Sequence, residues 1–386
     1  MSNPRVAVCL LAALFASAPL AADVKFKKTQ LDKEFRAEGV AVADVDGDGK
    51  LDVLAGPLWY QAPSWKPHEI STVKTIDPET GYSDAFCCFT DDLNKDGHSD
   101  LIVVGFPGKA VRVYENPGPN GLHTHWKEHQ ALPSCTNESP TYVDLDGDGR
   151  RELICGFEPD ERMAWFSPGA KISDPWIGHP FSGPKAPGAQ RFYHGLGIGD
   201  MNQDGRLDVV IPHGWYEGPE DRKTPDWKFH AMSPSPRTAH LYIEDFDGDG
   251  DNDIIGSSAH KYGIWWWEQS KGPDGARRWQ QQEIDKSYSQ THAMMMADLN
   301  KDGLKDMITG KRWWAHGPKG DPGSEEPAEL NWHELEHVDG KAVWIKHRID
   351  NDSGVGTQFA VADLNGDGLD DIVTSNKKGV FYFEQE

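Results

Sequence analysis

The 386-residue sequence is poor in basic residues and cysteine, and it has no long apolar run after its first residues. It contains 39 lysines and arginines against 62 aspartates and glutamates, which gives a net charge of −23. Nucleic-acid backbones are bound by lysine and arginine, so this deficit argues against a nucleic-acid partner. No later run approaches the roughly 18 apolar residues that span a bilayer, so we expect no transmembrane segment in the mature chain. Motifs such as GxSxG, HExxH and the phosphate loop are also missing, which argues against those hydrolase classes.

The first 22 residues, MSNPRVAVCLLAALFASAPLAA, have the composition of a secretory signal peptide. A basic start precedes an apolar stretch and a small-residue end, which is the usual order in such segments. We therefore predict an exported protein, periplasmic or extracellular, with a retained anchor as the alternative. Export permits one or two disulfides among the four cysteines that remain, and their spacing is not that of a zinc site: Cys87, Cys88, Cys135 and Cys155.

The acidic residues are concentrated in a nine-residue motif that occurs seven times, at spacings of 45 to 65 residues. The copies are DVDGDGKLD, DLNKDGHSD, DLDGDGRRE, DMNQDGRLD, DFDGDGDND, DLNKDGLKD and DLNGDGLDD. They begin at Asp44, Asp92, Asp144, Asp200, Asp245, Asp298 and Asp363. A repeat at this period indicates one supersecondary unit per copy.

Alternating carboxylate and amide oxygens around a glycine turn form an oxygen cage that suits calcium. We predict several structural calcium ions, while metal-free Asx turns are the alternative. The predicted ligands are the first, third, fifth and ninth residues of each copy: Asp44, Asp46, Asp48 and Asp52; Asp92, Asn94, Asp96 and Asp100; Asp144, Asp146, Asp148 and Glu152; Asp200, Asn202, Asp204 and Asp208; Asp245, Asp247, Asp249 and Asp253; Asp298, Asn300, Asp302 and Asp306; Asp363, Asn365, Asp367 and Asp371.

Each unit continues beyond its acidic loop with an aromatic run and then a run such as WKPHEI or WKFHAM. Four strands per unit of about 50 residues indicate an all-β fold, a seven-bladed β-propeller formed by residues 23–386. The seventh unit stops after its third strand, so we predict that residues 24–31 supply the fourth and close the ring. The acidic, Gly/Pro-rich residues 315–341 are predicted to be a surface insertion in unit six, and whether they bind a protein partner is left open by the sequence.

These loops resemble those of the FG-GAP or VCBS repeat proteins, whose DxDxDGxxD motifs lie in seven-bladed propellers such as that of integrin alpha subunits. The resemblance covers residues 23–386. It implies the propeller fold, but propellers carry many unrelated activities, so it does not by itself imply a function.

The chemistry is expected at the opposite end of the propeller from the acidic loops. In a blade, residues before the first strand and after the second meet at one end of the hairpin, and the loop between these strands lies at the other. This geometry gathers polar residues of several units at one channel mouth: Glu138, Tyr193, His194, His213, Trp215, His240, His260, Lys261, Tyr262, His292, Lys311, Arg312 and Gln358. Hydrogen-bonded plugs of the channel are the alternative role for the histidines.

Several histidines in one channel could hold a transition metal such as zinc, and we name His194, His240 and His292 as its ligands. Without a metal, a neutral histidine can act as a general base while cationic groups stabilise an enolate. Both versions favour removal of a proton beside a carbonyl group.

The combination of these loops, the WxxH strands and the histidine-rich mouth also resembles the propeller domain of aldos-2-ulose dehydratases, which eliminate water from keto-sugars. The resemblance implies a carbon–oxygen lyase with a carbohydrate or keto-sugar substrate. His194, His240, His292 and Tyr193 would then be catalytic. The substrate would be bound by His213, Trp215, His260, Lys261, Tyr262, Lys311, Arg312, Glu138 and Gln358.

Two other functions fit the same residues. A non-catalytic propeller could bind a sugar or a protein through exposed tryptophans, although interblade packing is the ordinary role of such side chains. A glycoside hydrolase could use a carboxylate pair from Glu38, Asp84 and Glu138.

Overall fold

The structure is a computed structural model that describes residues 24–232 and 238–386. The predicted signal peptide lies outside the described residues. The chain forms a seven-bladed β-propeller, as predicted, with seven four-stranded antiparallel sheets. None of the described residues forms a helix long and apolar enough to cross a membrane.

The first three sheets each contain four strands that are consecutive in the chain. Sheet 1 contains β2 (Ala41–Ala43), β3 (Asp52–Ala55), β4 (Leu58–Gln61) and β5 (Lys66–Glu69). Sheet 2 contains β6 (Cys87–Asp91), β7 (Asp100–Val104), β8 (Lys109–Glu115) and β9 (Lys127–Cys135). Sheet 3 contains β10 (Thr141–Val143), β11 (Glu152–Phe157), β12 (Arg162–Ser167) and β13 (Ile177–Pro180).

Sheets 4 to 6 follow the same order, and the two outer strands of sheets 5 and 6 are long, with 9 to 13 residues each. Sheet 4 contains β14 (Gly197–Gly199), β15 (Asp208–Ile211), β16 (Gly214–Tyr216) and β17 (Phe229–Ala231). Sheet 5 contains β18 (Leu241–Glu244), β19 (Asp253–Ser257), β20 (Tyr262–Lys271) and β21 (Arg277–Ser289). Sheet 6 contains β22 (Met294–Ala297), β23 (Asp306–Gly310), β24 (Leu330–Val338) and β25 (Lys341–Asp350).

Sheet 7 joins the two ends of the chain. It contains β26 (Ala360–Ala362), β27 (Asp371–Asn376), β28 (Gly379–Gln385) and, as its fourth strand, β1 (Phe26–Asp32). β1 is antiparallel to β28, with Phe26 opposite Gln385 and Gln30 opposite Phe381. The N-terminal strand therefore covers the edge that β28 would otherwise expose.

The core lies between neighbouring sheets. Ile154 and Trp165 of sheet 3, for example, share one apolar cluster with Val209 and Ile211 of sheet 4. The four described cysteines after the predicted signal peptide are buried free thiols, so the structure does not contain the disulfides that export would permit.

Tryptophans of the third strands stack on histidines of the fourth strands. The ring centroids of Trp59 and His68 are 4.5 Å apart, and those of Trp215 and His230 are 4.0 Å apart with an interplanar angle of 5°. These WxxH histidines are thus packing residues. Trp215, which we predicted to bind substrate, is buried in this packing and does not line the channel mouth.

The insertion in sheet 6 is shorter than predicted. The third strand of this sheet is β24, Leu330–Val338, and not the aromatic run RWWAHGP that precedes it. The inserted segment therefore consists of residues 311–329, which lie between β23 and β24 and reach the channel mouth.

Candidate functional site

The seven acidic loops share one backbone geometry. In the first loop, the carboxylate of Asp44 accepts hydrogen bonds from the amides of Gly47, Asp48 and Gly49 at 2.8 to 3.0 Å. The first aspartate of each other loop accepts amide hydrogen bonds in the same way: Asp92, Asp144, Asp200, Asp245, Asp298 and Asp363. The motif thus forms Asx-type turns whether or not it holds an ion.

The ninth residue of each motif serves the sheet. Asp306 is buried, and its two carboxylate oxygens accept hydrogen bonds from the amides of Leu299 and Leu335, at 3.1 and 3.0 Å. It thereby ties the acidic loop to the third strand. Burial raises the pKa of Asp306 to about 7, against the opposing effect of these two hydrogen bonds. The equivalent buried residues are Asp52, Asp100, Glu152, Asp208, Asp253 and Asp371.

Among the described residues, three of the loops gather acidic side chains closely enough to hold a metal ion. Their candidate ligand atoms lie within 4.8 Å of one another: Asp44, Asp46 and Asp48; Asp144, Asp146 and Glu152; Asp245, Asp247 and Asp249. These are the loops of sheets 1, 3 and 5. The loops of the other four sheets have asparagine at the third position, and in the second loop Asn94 Nδ2 donates to Asp96 at 2.9 Å. Six of the seven predicted ninth-position ligands are outside these groups and have the sheet contacts described above; their role as calcium ligands stays a prediction.

The opposite end of the propeller contains a buried charge network. The guanidinium of Arg312, after β23, donates to Glu138 at 3.2 Å and to Glu38. Glu138 precedes β10 and Glu38 precedes β2, so the network crosses the channel. All three residues are buried, at 6 % exposure or less. Breaking such a pair would leave a charge unpaired in a low-dielectric site.

Three histidine rings surround Glu138. His292 Nε2 lies 3.1 Å and His194 Nε2 3.4 Å from the same carboxylate oxygen, Glu138 Oε2. The ring centroid of His194 is 4.9 Å from that of His260 and 5.0 Å from that of His292. These residues precede β14, follow β19 and precede β22, so three adjacent sheets supply the cluster.

Each of these three histidines has one ring nitrogen without a hydrogen-bond partner among the described residues. These buried nitrogens are His194 Nε2, His260 Nδ1 and His292 Nδ1. Burial, together with the positive charge of Arg312, holds the pKa of His292 well below its usual value, and burial lowers the pKa of His260 to about 4. Both rings are therefore neutral near pH 7 and can bind a metal or accept a proton.

Glu138 is held in its charged form. Burial alone would raise its pKa, but the neighbouring His194, the hydrogen bond from His292 and the charge of Arg312 hold that pKa well below its usual value. Burial raises the pKa of Glu38 in spite of the charges of Arg312 and Lys377. With Glu138 and Glu38 both bound to Arg312, and Asp84 exposed and near Lys74, these carboxylates do not form the free pair that a glycosidase needs.

A cavity of about 910 Å³ opens above this cluster. His194, Glu138 and His260 lie among its lining residues, together with Lys261 and Tyr262. The remaining lining residues include an aromatic group on the other side, Tyr82, Phe106, Phe192 and Trp265, and His316 of the insertion. The site thus combines imidazole nitrogens with apolar ring surface.

Three predicted site histidines are placed differently from the prediction. His240 is outside the cluster: its Nε2 lies 3.2 Å from the carbonyl oxygen of Thr357, and His260 takes its place beside His194 and His292. His292 is fully buried and lies behind the cavity wall. His213 pairs through Nδ1 with the hydroxyl of Tyr193, and neither residue lines the cavity.

Two other predicted substrate ligands have structural partners. Lys311 is buried and donates to the carbonyl oxygen of Gly323, so it anchors the insertion. Gln358 Oε1 accepts from the amides of Val40 and Cys88, at 3.1 and 3.2 Å, and so joins three sheets.

The site also contains residues that the sequence did not predict. His316 and Asp321 belong to the insertion, and Asp321 Oδ1 lies 3.0 Å from His316 Nδ1. Phe192, which is 44 % exposed, and Phe106 form part of the aromatic wall, with ring centroids 5.4 Å apart. The sequence contained one clue to His316 and Asp321, because the insertion that carries them interrupts the repeat at the channel end.

Comparison with protein-family models identifies the repeat. The model of the FG-GAP-like repeat matches residues 92–155 and 245–309, and that of the FG-GAP repeat matches residues 355–380. The chain therefore contains FG-GAP repeats within a seven-bladed β-propeller. No curated protein matches its sequence.

Several solved structures are similar to this FG-GAP propeller at low identity. An Agrocybe aegerita lectin that recognises non-reducing terminal N-acetylglucosamine is 16% identical over 85% of this chain and 81% of its own, with a TM-score of 0.44. The V. cholerae biofilm matrix protein Bap1 is 10% identical over 94% and 91% of the two chains, with a TM-score of 0.45. The rhamnogalacturonan lyase YesW is 14% identical over 93% and 75%, also with a TM-score of 0.45.

Proposed function

We propose that this protein is an exported carbohydrate-acting lyase that eliminates water from a keto-sugar at the channel mouth. One observation carries the proposal. His194 and His260 line a cavity of about 910 Å³ beside a buried carboxylate–guanidinium network, and each has one buried ring nitrogen without a hydrogen-bond partner among the described residues. This arrangement suits removal of a proton next to a carbonyl group.

His194 is the residue best placed to take that proton. It lines the cavity, and its Nε2 lies 3.4 Å from Glu138 Oε2. His194 takes the proton as the C–H bond beside the carbonyl breaks and the C=C bond forms, and it returns that proton to the departing β-hydroxyl, which leaves as water. The ionised Glu138 would stabilise the imidazolium that forms.

His292 acts as a positioning residue in this proposal. It is fully buried, and its Nε2 lies 3.1 Å from Glu138 Oε2. With the N–H donated to the carboxylate, His292 and Arg312 together fix Glu138 beside His194. Catalytic groups need this kind of support because small displacements of the reacting groups reduce the rate strongly.

The cavity wall fits a sugar. Lys261 can donate to hydroxyl or carbonyl oxygens, and the rings of Tyr82, Phe106 and Phe192 offer apolar surface to the C–H face of a pyranose. A divalent transition metal among these histidines would supply a Lewis acid for the carbonyl oxygen.

The acidic loops would hold calcium for stability, first in sheets 1, 3 and 5, where the loops gather three acidic side chains. An ion that binds only the folded chain stabilises it by mass action. A role in catalysis is not proposed for these loops, because they lie at the other end of the hairpins from Glu138 and His194.

The test follows the absorbance of the enone formed from keto-sugars such as anhydrofructose or 3-keto-glycosides, with calcium and transition metal supplied. We expect turnover by the wild type and a loss of about a hundredfold or more in His194→Gln, the usual effect of losing an acid–base group. His230→Gln is the matched control, since this histidine stacks on Trp215 at the outer edge.

The second candidate function is sugar binding without turnover. The exposed aromatic surface of Phe192, Tyr262 and Tyr82, at 44 %, 37 % and 36 % exposure, favours it. If the wild type binds keto-sugars but never forms the enone, the lyase proposal fails and the binding module replaces it.

A further inference from the structure

The inserted segment of sheet 6 brings two more metal-binding side chains to the histidine cluster. His316 lines the cavity, and Asp321 is buried behind it with 7 % of its side chain exposed. The ring centroid of His316 is 4.6 Å from that of His260. His260 thus belongs to two groups of candidate ligands, one with His194 and His292 and one with His316 and Asp321.

The second group has the spacing of ligands around one ion. Asp321 Oδ1 lies 3.0 Å from His316 Nδ1 and 3.8 Å from His260 Nδ1. Metal–ligand bonds of about 2.0–2.2 Å place neighbouring ligand atoms about 3 to 4 Å apart, and both distances fall in this range.

An ordinary ion pair does not account for all three side chains. A His316–Asp321 pair satisfies those two residues, but it leaves the buried Nδ1 of His260 without a hydrogen-bond partner among the described residues. A buried polar atom without a partner is costly unless it has a function. An ion between the three residues would satisfy it.

The segment that carries His316 and Asp321 is firmly anchored. Trp314 Nε1 donates to the carbonyl oxygen of Ser324 at 2.9 Å, and the Tyr82 hydroxyl donates to the carbonyl oxygen of Ala315, also at 2.9 Å. The Tyr262 hydroxyl donates to Glu326 at 2.6 Å. Ligands on such a held segment are preorganised, as a metal site requires.

We propose that His260, His316 and Asp321 hold a divalent transition metal, with the insertion supplying two of the three ligands. Two histidines and one carboxylate fill three of the four coordination positions of a tetrahedral ion and leave the fourth open, as in catalytic zinc sites. His260 and His316 both line the cavity, so that open position is available to a sugar oxygen. His194 and His292 then remain free for the proton-transfer and positioning roles, and this last point rests on the proposed function.

The metal itself can be tested without a sugar. The full mature chain, stripped of transition metals and kept in excess calcium, is titrated with Co²⁺, and binding is followed by visible absorbance and by metal analysis. We expect His316→Gln and Asp321→Asn to weaken Co²⁺ binding at least tenfold, whereas His194→Gln and His292→Gln bind it nearly as the wild type does. Thermal melting of each variant identifies any that fail to fold. If Asp321→Asn does not fold, His316→Gln alone tests the site, because His316 is half exposed and its substitution should leave the fold intact.

Two results would overturn the proposal. One is a wild type that binds no Co²⁺. The other is the reverse pattern, in which the His194 and His292 variants lose the ion and the insertion variants keep it. Because the titration measures the ion alone, its failure leaves the elimination assay free to support or reject the lyase proposal separately.

Discussion

The two ends of the propeller use buried carboxylates in different ways. At the loop end, Asp306 and its six equivalents accept hydrogen bonds from backbone amides in every sheet. At the channel end, Glu38 and Glu138 occur once each and are bound to Arg312, with histidines around Glu138. The arrangement at the loop end recurs in every sheet, whereas the arrangement at the channel end occurs once.

This difference separates residues that form the fold from residues that form the site. A carboxylate that stabilises one sheet is useful in each of seven similar sheets, so it recurs. A site needs one set of groups converging on one point, so its members come from different sheets and need not repeat. His194, His260 and His292 fit this description, while the WxxH histidines recur and pack.

Removing β1 should have the largest effect on stability. Deletion of residues 24–32 leaves sheet 7 with three strands and exposes β28 as an open edge. We expect loss of cooperative unfolding and aggregation, measured by calorimetry and light scattering. A truncated chain that stays monomeric with the same melting temperature would contradict the role of β1.

Breaking the charge network of Arg312, Glu38 and Glu138 should have the second-largest effect on stability. Arg312→Met leaves Glu38 and Glu138 buried without their cation, which should lower the free energy of unfolding by about 3–5 kcal/mol. Denaturant unfolding measures it. Arg278→Met, at an exposed pair with Asp274, is the control and should change stability little.

Within one acidic loop, substitution of the ninth residue should lower the free energy of unfolding more than substitution of the fifth when calcium is removed. Asp306→Ala leaves two buried amides without an acceptor and should cost about 1–3 kcal/mol, whereas Asp302→Ala removes an exposed side chain. Chemical denaturation in excess chelator compares the two. Equal losses would show that the ninth carboxylate is not a special support of the sheet.

The smallest expected effect is a difference in calcium affinity between the all-aspartate loops and the loops with asparagine at the third position. Asp247→Asn removes one charge from an all-aspartate loop and should weaken calcium binding by up to roughly tenfold, or about 1.4 kcal/mol. Asn94→Asp adds a charge to an asparagine loop and should strengthen binding there. Calorimetric titration of both variants measures the shifts, and shifts in the same direction would argue against ligand charge as the cause.

The fold was predictable from the sequence, while the membership of the site was only partly so. The repeat fixed seven sheets and left one strand missing, which pointed to residues 24–31. It also showed which end of each hairpin a residue occupies. It did not show which residues meet across the channel, and His240 was therefore chosen where the structure has His260.

The errors have physical causes. Trp215 follows the second strand like other candidates, but its ring stacks on His230 and is buried between sheets 4 and 5. His316 and Asp321 lie in the segment that interrupts the repeat, so no periodicity could place them. The same interruption moved the third strand of sheet 6 from the aromatic run to Leu330–Val338.

The most direct test is the rate of enone formation as a function of free calcium, well below the melting temperature, with circular dichroism recorded on the same samples. The account predicts that added calcium raises the melting temperature while the rate per folded chain stays constant, since the loops support the fold and the channel mouth performs the chemistry. A rate that falls to background in calcium-free protein that is still folded and still holds its transition metal would contradict this division.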